Sequence, residues 1–343
     1  MIKKKYSKSS SFYLGVKKDF FDSNQKMLSK ANKQNKFYKT QIKRKKCKIC
    51  LSNLGSSIDF KNHHIEYIFC KDCNHLNGAY EDTKEFVKKM YIEEKGDNYS
   101  RNYIDGNFKR RAEEIYLPKV EFLVKNLPSK NYNILDIGCG GGHFVFAGLM
   151  LNCNISGIDV NEKLIKFGND QIYNNLKIKN KLSCKNEDEM FDIVRNSEAK
   201  TLSAIGVIEH LRHPHKLFDA FRESKIEFFY YSVPMFSLSV LLENSFKKVF
   251  PRQLHGGHTH LFTEESLIRM NKIIGVEPIA EWRFGTDAMD FYRSLVITMC
   301  SNKVSNTTKD YFSYKFLKVL DKFQSLLDKN HFCSEIHLLG SKK

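Results

Sequence analysis

The chain reads as an α/β protein: a doubly wound, mostly parallel sheet of seven strands over residues 132–343, preceded by a small cysteine-bearing module. Three observations predict this. From residue 132 onward, apolar runs of strand length alternate with stretches whose apolar residues recur every three or four positions. The first of those runs opens into a loop with four glycines in five residues (138–142), where a strand hands over to a helix. Upstream, four of the nine cysteines fall into two Cys-x-x-Cys pairs.

Taken in order, "NILDIG" from residue 133 is a strand and "HFVFAGLML" a helix, then "NISGIDV" is the second strand. "NEKLIKFGNDQI" is a helix with Asn161 as its cap, since a short polar side chain there can accept an orphan backbone N–H. "KLSCKN" is a weak strand, and "TLSAIGVIEHL" a strand running into a loop. "PHKLFDAFRES" starts a helix with Pro214 in its first turn, followed by the strand "EFFYYSVP". "TEESLIRMNKII" is a helix capped by Thr263 with Glu265 near it; "VEPIAEWRF" and "SEIHLLGSK" complete the strands. Residues 286–330 are expected to be a mostly helical insertion before the last strand.

The segments before the sheet differ in character. Residues 1–46 carry fifteen Lys or Arg against two acids, so most of the formal +17 belongs to a basic, flexible arm, with Phe12, Tyr13, Phe20 and Phe21 as docking points. Residues 47–78 hold the cysteine pairs, and 79–131 form a helical linker or lid that Pro118 should break or restart. No run reaches the roughly 18 apolar residues of a membrane span. The nearest, 228–242, is interrupted by Ser232, Pro234, Ser237 and Ser239. The Lys-rich N-terminus lacks the apolar core of a secretory signal, and an odd cysteine count with paired spacing favours a reducing, cytoplasmic setting over a disulfide framework.

The glycine loop excludes two ligand classes. A dinucleotide fingerprint beginning at Gly138 and Gly140 would need a third glycine where His143 stands, and no Gly-Lys-Ser/Thr follows to make a P-loop. What is present, Asp136-x-Gly138-x-Gly140-x-Gly142, resembles the first motif of the class I S-adenosylmethionine-dependent methyltransferases over roughly residues 100–343. The resemblance implies that the three glycines admit the methionine part of S-adenosylmethionine and that Asp136 organises its cationic end. Asp159, closing "GIDV", matches the acid that holds both ribose hydroxyls, a task suited to a carboxylate with two acceptor oxygens. "CKNEDEM" offers Asn186, Glu187 or Asp188 to the adenine edge, and "GVIEHLRHP" places Glu209 after the fourth strand beside the cofactor.

Cys47-x-x-Cys50 and Cys70-x-x-Cys73, nineteen residues apart, have the spacing of a four-thiolate zinc site in a zinc-ribbon-like module. Four thiolates leave no open position, so the ion would be structural; His63, His64 and His75 are possible substitute ligands. A segment this polar has little core of its own, and metal would supply much of its stability. The module and the Tyr-rich stretch after it, including Tyr99 and Tyr103, resemble the N-terminal part of methyltransferases of glycan and deoxysugar biosynthesis. The extra C-terminal lobe of the deoxysugar C-methyltransferases has no counterpart, so O-methylation of a sugar, nucleotide-sugar or surface-glycan intermediate is expected.

Transfer to a hydroxyl needs alignment and the removal of a proton. His210 in "IEH" and His258 in "HGGHTHLFTEESL" are the general-base candidates. The second stretch resembles the Glu-His-x-x-Tyr-Phe segment of the sugar enzymes, with Gly257 in place of the Glu and no acid to orient the base. His255, His258 and His260 also form a possible metal set, again without an acid nearby. Two other functions fit parts of the pattern: an RNA methyltransferase holding nucleic acid with its arm and zinc module, and a non-catalytic zinc-bearing binding protein. The chain lacks the Asn/Asp-Pro-Pro-aromatic motif that positions a base amine, and its intact acids at 136 and 159 speak for a working cofactor site.

Overall fold

A computed structural model describes residues 2–10, 21, 23–92, 107–128 and 133–343. Phe12, Tyr13, Phe20, Tyr99 and Tyr103 lie outside the described residues. Strand β1 (Lys3–Tyr6) comes first, and β2 (Phe60–Asn62), β3 (Ile65–Phe69) and β4 (Leu76–Gly78) surround the cysteines. The alternating region supplies β5 (Asn133–Ile137), β6 (Asn154–Asp159), β7 (Leu182–Cys184), β8 (Thr201–Ile205) and β9 (Phe228–Pro234), then β10 (His260–Leu261), β11 (Val276–Phe284) and β12 (Glu335–Lys342).

The main sheet runs β1-β11-β12-β9-β8-β5-β6-β7, parallel throughout except for β12, which is antiparallel to both neighbours. Strand residues alternate between two apolar layers, as a two-faced sheet requires. Leu135, Ile137, Phe229 and Tyr231 meet the helices Glu187–Arg195, Pro214–Glu223 and Glu264–Ile274 on one face. Ile134, Ile155, Tyr230 and Trp282 meet Leu117–Asn126, His143–Met150 and Glu162–Leu176 on the other. Strand order reverses at β5, which has β6 on one side and β8 on the other, so the crevice beyond their carboxyl ends is the place for a ligand.

Local signals account for the element ends. Asn161 accepts from Leu164 N–H, and Pro214 occupies the first turn of its helix. Thr263 forms a reciprocal cap with Ser266 rather than with Glu265. Pro118 lies in the first turn of Leu117–Asn126, immediately after a π-turn at Ala112–Tyr116.

Two expectations are corrected. The sheet has eight strands rather than seven, because Lys3–Tyr6 pairs with Ala280–Arg283 at the edge. Three consecutive lysines look like solvated tail, yet a ladder of backbone hydrogen bonds is indifferent to outward-facing side chains. Lys5 also lies 3.5 Å from the Trp282 ring centroid, and Trp282 Nε1 donates to Ser7 O at 3.0 Å. Nor is residues 1–46 a flexible arm throughout: Asn24–Lys39 is a helix whose Tyr38 is fully buried and donates to Tyr80 O.

The cysteine module is not self-contained either. Its sheet, β10-β4-β3-β2, takes a strand from residues 260–261, and its Tyr67 and Leu76 share a core with Val240, Leu254 and Leu261. Among the described residues no helix is long and apolar enough to cross a membrane.

Removing residues 1–9 should leave the rest folded but expose Trp282, the only tryptophan. We expect a red-shifted emission maximum and a loss of about 1–3 kcal/mol, the scale of uncovering one large aromatic side chain. An unchanged spectrum would mean that β1 does not cover the ring.

Candidate active site

The loop after β5 owes its path to glycine. Gly138, Gly140 and Gly142 have φ of +62°, +53° and +74°. A Cβ on Gly138 would come within 2.5 Å of Val207, whereas one on Gly140 would meet nothing within 4 Å. The first glycine therefore serves close packing and the second borders open space. Cys139 N–H donates to Ile158 O at 3.1 Å, tying the loop to the end of β6.

Two buried acids flank that loop. Asp136 accepts from Ser203 Oγ at 2.6 Å. Burial pushes its carboxyl up to about 8, with the Ser203 bond opposing and Asp159 adding to the rise. Asp159 accepts from Gly140 N–H through Oδ2 and from Asn161 N–H through Oδ1, both at 2.8 Å. Burial raises it too, against those N–H groups.

Asp136, Gly138 and Gly140 line a cavity of about 290 Å³. Glu209, His210 and His258 stand on its wall, and so do Tyr116, Lys119, Arg252, Gln253, Ser334 and Glu335. The expected residues are thus partly brought together. Asp159 is behind the loop, not in the cavity wall. Asn186 is not in the wall. Its side chain accepts from Glu189 N–H, while Glu189 accepts from Asn186 N–H, in a capping box that opens the helix Glu187–Arg195. Glu187 also stands outside the wall, with its Oε1 buried and without a hydrogen-bond partner.

The two base candidates are neighbours. Ring centroids of His210 and His258 are 5.1 Å apart, and Glu209 Oε1 lies 3.8 Å from His210 Nε2. Burial pushes His258 down to about 4, with Arg252 reinforcing it, and pushes His210 well down, so both imidazoles are neutral at neutral pH. Glu209 is the acid missing from the "HGGHTH" stretch; burial raises it to about 8. The grouping of His255, His258 and His260 as ligands does not hold. His260 turns away to His75, Nδ1 to Nε2 at 2.8 Å, while His255 Nδ1 accepts from Gly257 N–H.

The cavity wall also contains residues that no local pattern singles out. Lys119 pairs with Glu335 at 3.3 Å, and Glu335 is also bonded to His337 at 2.7 Å. Burial opposes the charge on Glu335, but Lys119 and His337 hold it well below the usual carboxylate range. Arg252 is anchored by Asp290 at 2.7 Å.

The cysteine module touches this site. Lys48, between the first two cysteines, donates to Asp82 at 2.7 Å and to Glu209 O at 3.2 Å. His260 Nε2 reaches the same carbonyl at 2.7 Å. The four Sγ atoms lie within 4.8 Å of one another; Cys47–Cys73 is 3.7 Å and Cys50–Cys70 is 3.5 Å. Four thiolates about 2.3 Å from a tetrahedral ion would stand about 3.8 Å apart, so the donor set fits Zn²⁺. Both pairs form the same turn: Leu51 N–H donates to Cys47 O and Asn74 N–H to Cys70 O, with Leu51 and Asn74 at positive φ. His75, a possible substitute ligand, is committed to His260 and Ser266 instead.

A sheet of this order, with a glycine loop closing its first strand and an acid closing its second, defines a class I S-adenosylmethionine-dependent methyltransferase. Residues 108–281, just over half of the chain, match the family described as "Methyltransferase domain", and the chain belongs to it. No curated protein matches the chain in sequence. Similar solved structures include magnesium protoporphyrin IX methyltransferase from Synechocystis PCC 6803 with bound SAH (14% identity, 76% of this chain and 100% of that one, TM-score 0.49). A SAM-dependent methyltransferase from Archaeoglobus fulgidus gives 16% identity over 71% and 97% of the chains, TM-score 0.42. Geranyl diphosphate C-methyltransferase from Streptomyces coelicolor A3(2) gives 12% over 68% and 84%, TM-score 0.40.

The raised Asp136 carboxyl makes a testable prediction. Below about pH 8 it is protonated in the free protein. A cationic ligand favours the ionised form, so binding should release protons, and affinity should rise with pH by up to about tenfold per unit below that point. Calorimetry of S-adenosylmethionine in buffers of different ionisation enthalpy reads this directly. Proton uptake on binding would contradict it.

Proposed function

We propose that this methyltransferase O-methylates a small polyhydroxylated acceptor: a sugar, nucleotide-sugar or surface-glycan intermediate. The observation that carries the reading is the pairing of two neutral imidazoles, His210 and His258, with an acceptor end lined by Lys119, Arg252, Gln253, Ser334 and Glu335. Such a surface offers hydrogen bonds to many hydroxyls and little to a hydrocarbon.

S-adenosylmethionine supplies an electrophilic methyl group on a sulfonium. On this reading Gly138 and Gly140 admit it, Asp136 faces its ammonium, and Asp159 accepts from the ribose hydroxyls. Glu187, near the adenine end, has a buried oxygen still to be satisfied. The acceptor hydroxyl then faces His258, which takes its proton, with His210 and Glu209 behind it. Burial makes His258 a weak base, so positioning rather than basicity carries most of the effect. An RNA acceptor finds less support, because the basic segment is partly committed to the sheet edge: Lys3–Tyr6 pairs with Ala280–Arg283 and Lys5 is laid over Trp282.

We propose further that Cys47, Cys50, Cys70 and Cys73 hold one structural Zn²⁺. The ion would fix Lys48 and, through it, the Glu209 carbonyl.

Three outcomes check this. Calorimetry should show S-adenosylmethionine binding that Asp159→Ala abolishes; no binding to folded protein would sink the reading. With an acceptor found among nucleotide sugars, His258→Ala should lower kcat by about 10²–10⁴-fold, the usual contribution of a positioned base, with little change in cofactor affinity. Elemental analysis should give one zinc per chain, and stripping it with a chelator should lower both Tm and cofactor binding. Turnover of RNA rather than sugars would transfer the assignment to the alternative.

A further inference from the structure

The acceptor end of the cavity carries a second donor cluster, distinct from the cysteines. Glu209, His210 and His258 each present one ligand atom, and these atoms lie within 4.8 Å of one another. Two atoms on these side chains lack a hydrogen-bond partner. Glu209 is 6% exposed, yet its Oε2 is buried without a hydrogen-bond partner, and so is His258 Nδ1. A buried carboxylate oxygen and a buried ring nitrogen left unsatisfied side by side are costly, and each needs a partner that the protein does not supply.

The scaffold holds the cluster firmly. Glu209 and His210 sit in a single 3₁₀ turn, Ile208–His210, just after β8. The Glu209 carbonyl is clamped by Lys48 and His260. His258 comes from a separate loop closed by its own N–H to His255 O at 2.8 Å.

We propose that Glu209, His210 and His258 bind one first-row divalent transition ion, with its remaining positions open to the cavity. Two imidazoles and one carboxyl group make a borderline donor set. They suit Mn²⁺, Fe²⁺, Co²⁺, Ni²⁺ or Zn²⁺ rather than Ca²⁺ or Mg²⁺, which take oxygen alone. Ligand atoms around such an ion stand about 3–3.5 Å apart, and Glu209 Oε1 and His210 Nε2, 3.8 Å apart, need close by less than about 1 Å to meet it.

The inference rests on the reading of this cavity as the acceptor site and narrows the acceptor. Open positions side by side suit two adjacent oxygens, as in the vicinal diol of a sugar. Held by Glu209, His210 and His258, the ion would supply Lewis-acid activation: it would acidify an acceptor hydroxyl, whose proton would pass to water as its oxygen displaces the sulfonium sulfur at the methyl carbon.

The test uses full-length protein with its cysteine site loaded with zinc, titrated with Co²⁺. One equivalent should bind and give a visible spectrum free of the intense near-ultraviolet bands of thiolate-bound cobalt. Glu209→Gln and His258→Ala should each weaken Co²⁺ binding at least tenfold, while the zinc content stays at one and Trp282 emission is unchanged. No Co²⁺ binding, or binding unaffected by both variants, overturns the ion site. S-adenosylmethionine affinity, measured on the same samples, separates the two readings. Donor binding without Co²⁺ binding removes the ion and leaves methyl transfer intact, and the reverse pattern removes the methyl-transfer reading alone.

Discussion

The backbone carbonyl of Glu209 is the point at which the molecule is joined. It accepts from Lys48 of the cysteine module and from His260 of β10, while Glu209's own side chain faces the cavity. His260 is held in turn by His75, which contacts Ser266 at the start of the helix Glu264–Ile274. A displacement of any of these groups moves the same peptide, and with it the acid and the imidazole of the 3₁₀ turn. The cysteine module therefore buttresses the peptide that carries Glu209, from behind the cavity wall.

That junction depends on a buried charge network. Burial would push Asp82 up, but Lys48 and Arg44 overcome this and hold its carboxyl below the ordinary range. Thr259 adds a hydrogen bond to its other oxygen at 2.8 Å. Full pairing is what makes such a network tolerable in a dry interior, and it ties one geometry to the presence of every member. The arrangement also explains why residues 259–261 pair with β4: the strand pairing and the charge network fix the same segment.

The cavity itself combines two regimes. At the glycine loop, burial pushes the Asp136 carboxyl up to about 8. At the opposite end, Glu335 is ionised and locked between Lys119 and His337. Two carboxyl groups in one cavity thus differ in charge because one has basic neighbours and the other has only a hydroxyl.

How much of this was legible in the sequence follows from the range of each interaction. Strands, caps and the glycine loop are set by neighbours a few residues apart, so periodicity and residue type suffice for them. The cysteine pairs were legible for the same reason, since each turn is closed within four residues. The eighth strand was not, because an edge strand is chosen by the partner that lies beside it, here Ala280–Arg283, and not by its own lysines. The capping role of Asn186 was not separated from ligand binding, because both call for the same side chain. What the sequence by itself determined is the class of sheet, the loop that can admit a cofactor and the presence of a four-thiolate set. Only the tertiary structure decided which acid stands by which histidine: Glu209 and His258 are 49 positions apart, Lys119 and Glu335 are 216, and burial, which sets their charge, exists only after the chain has folded.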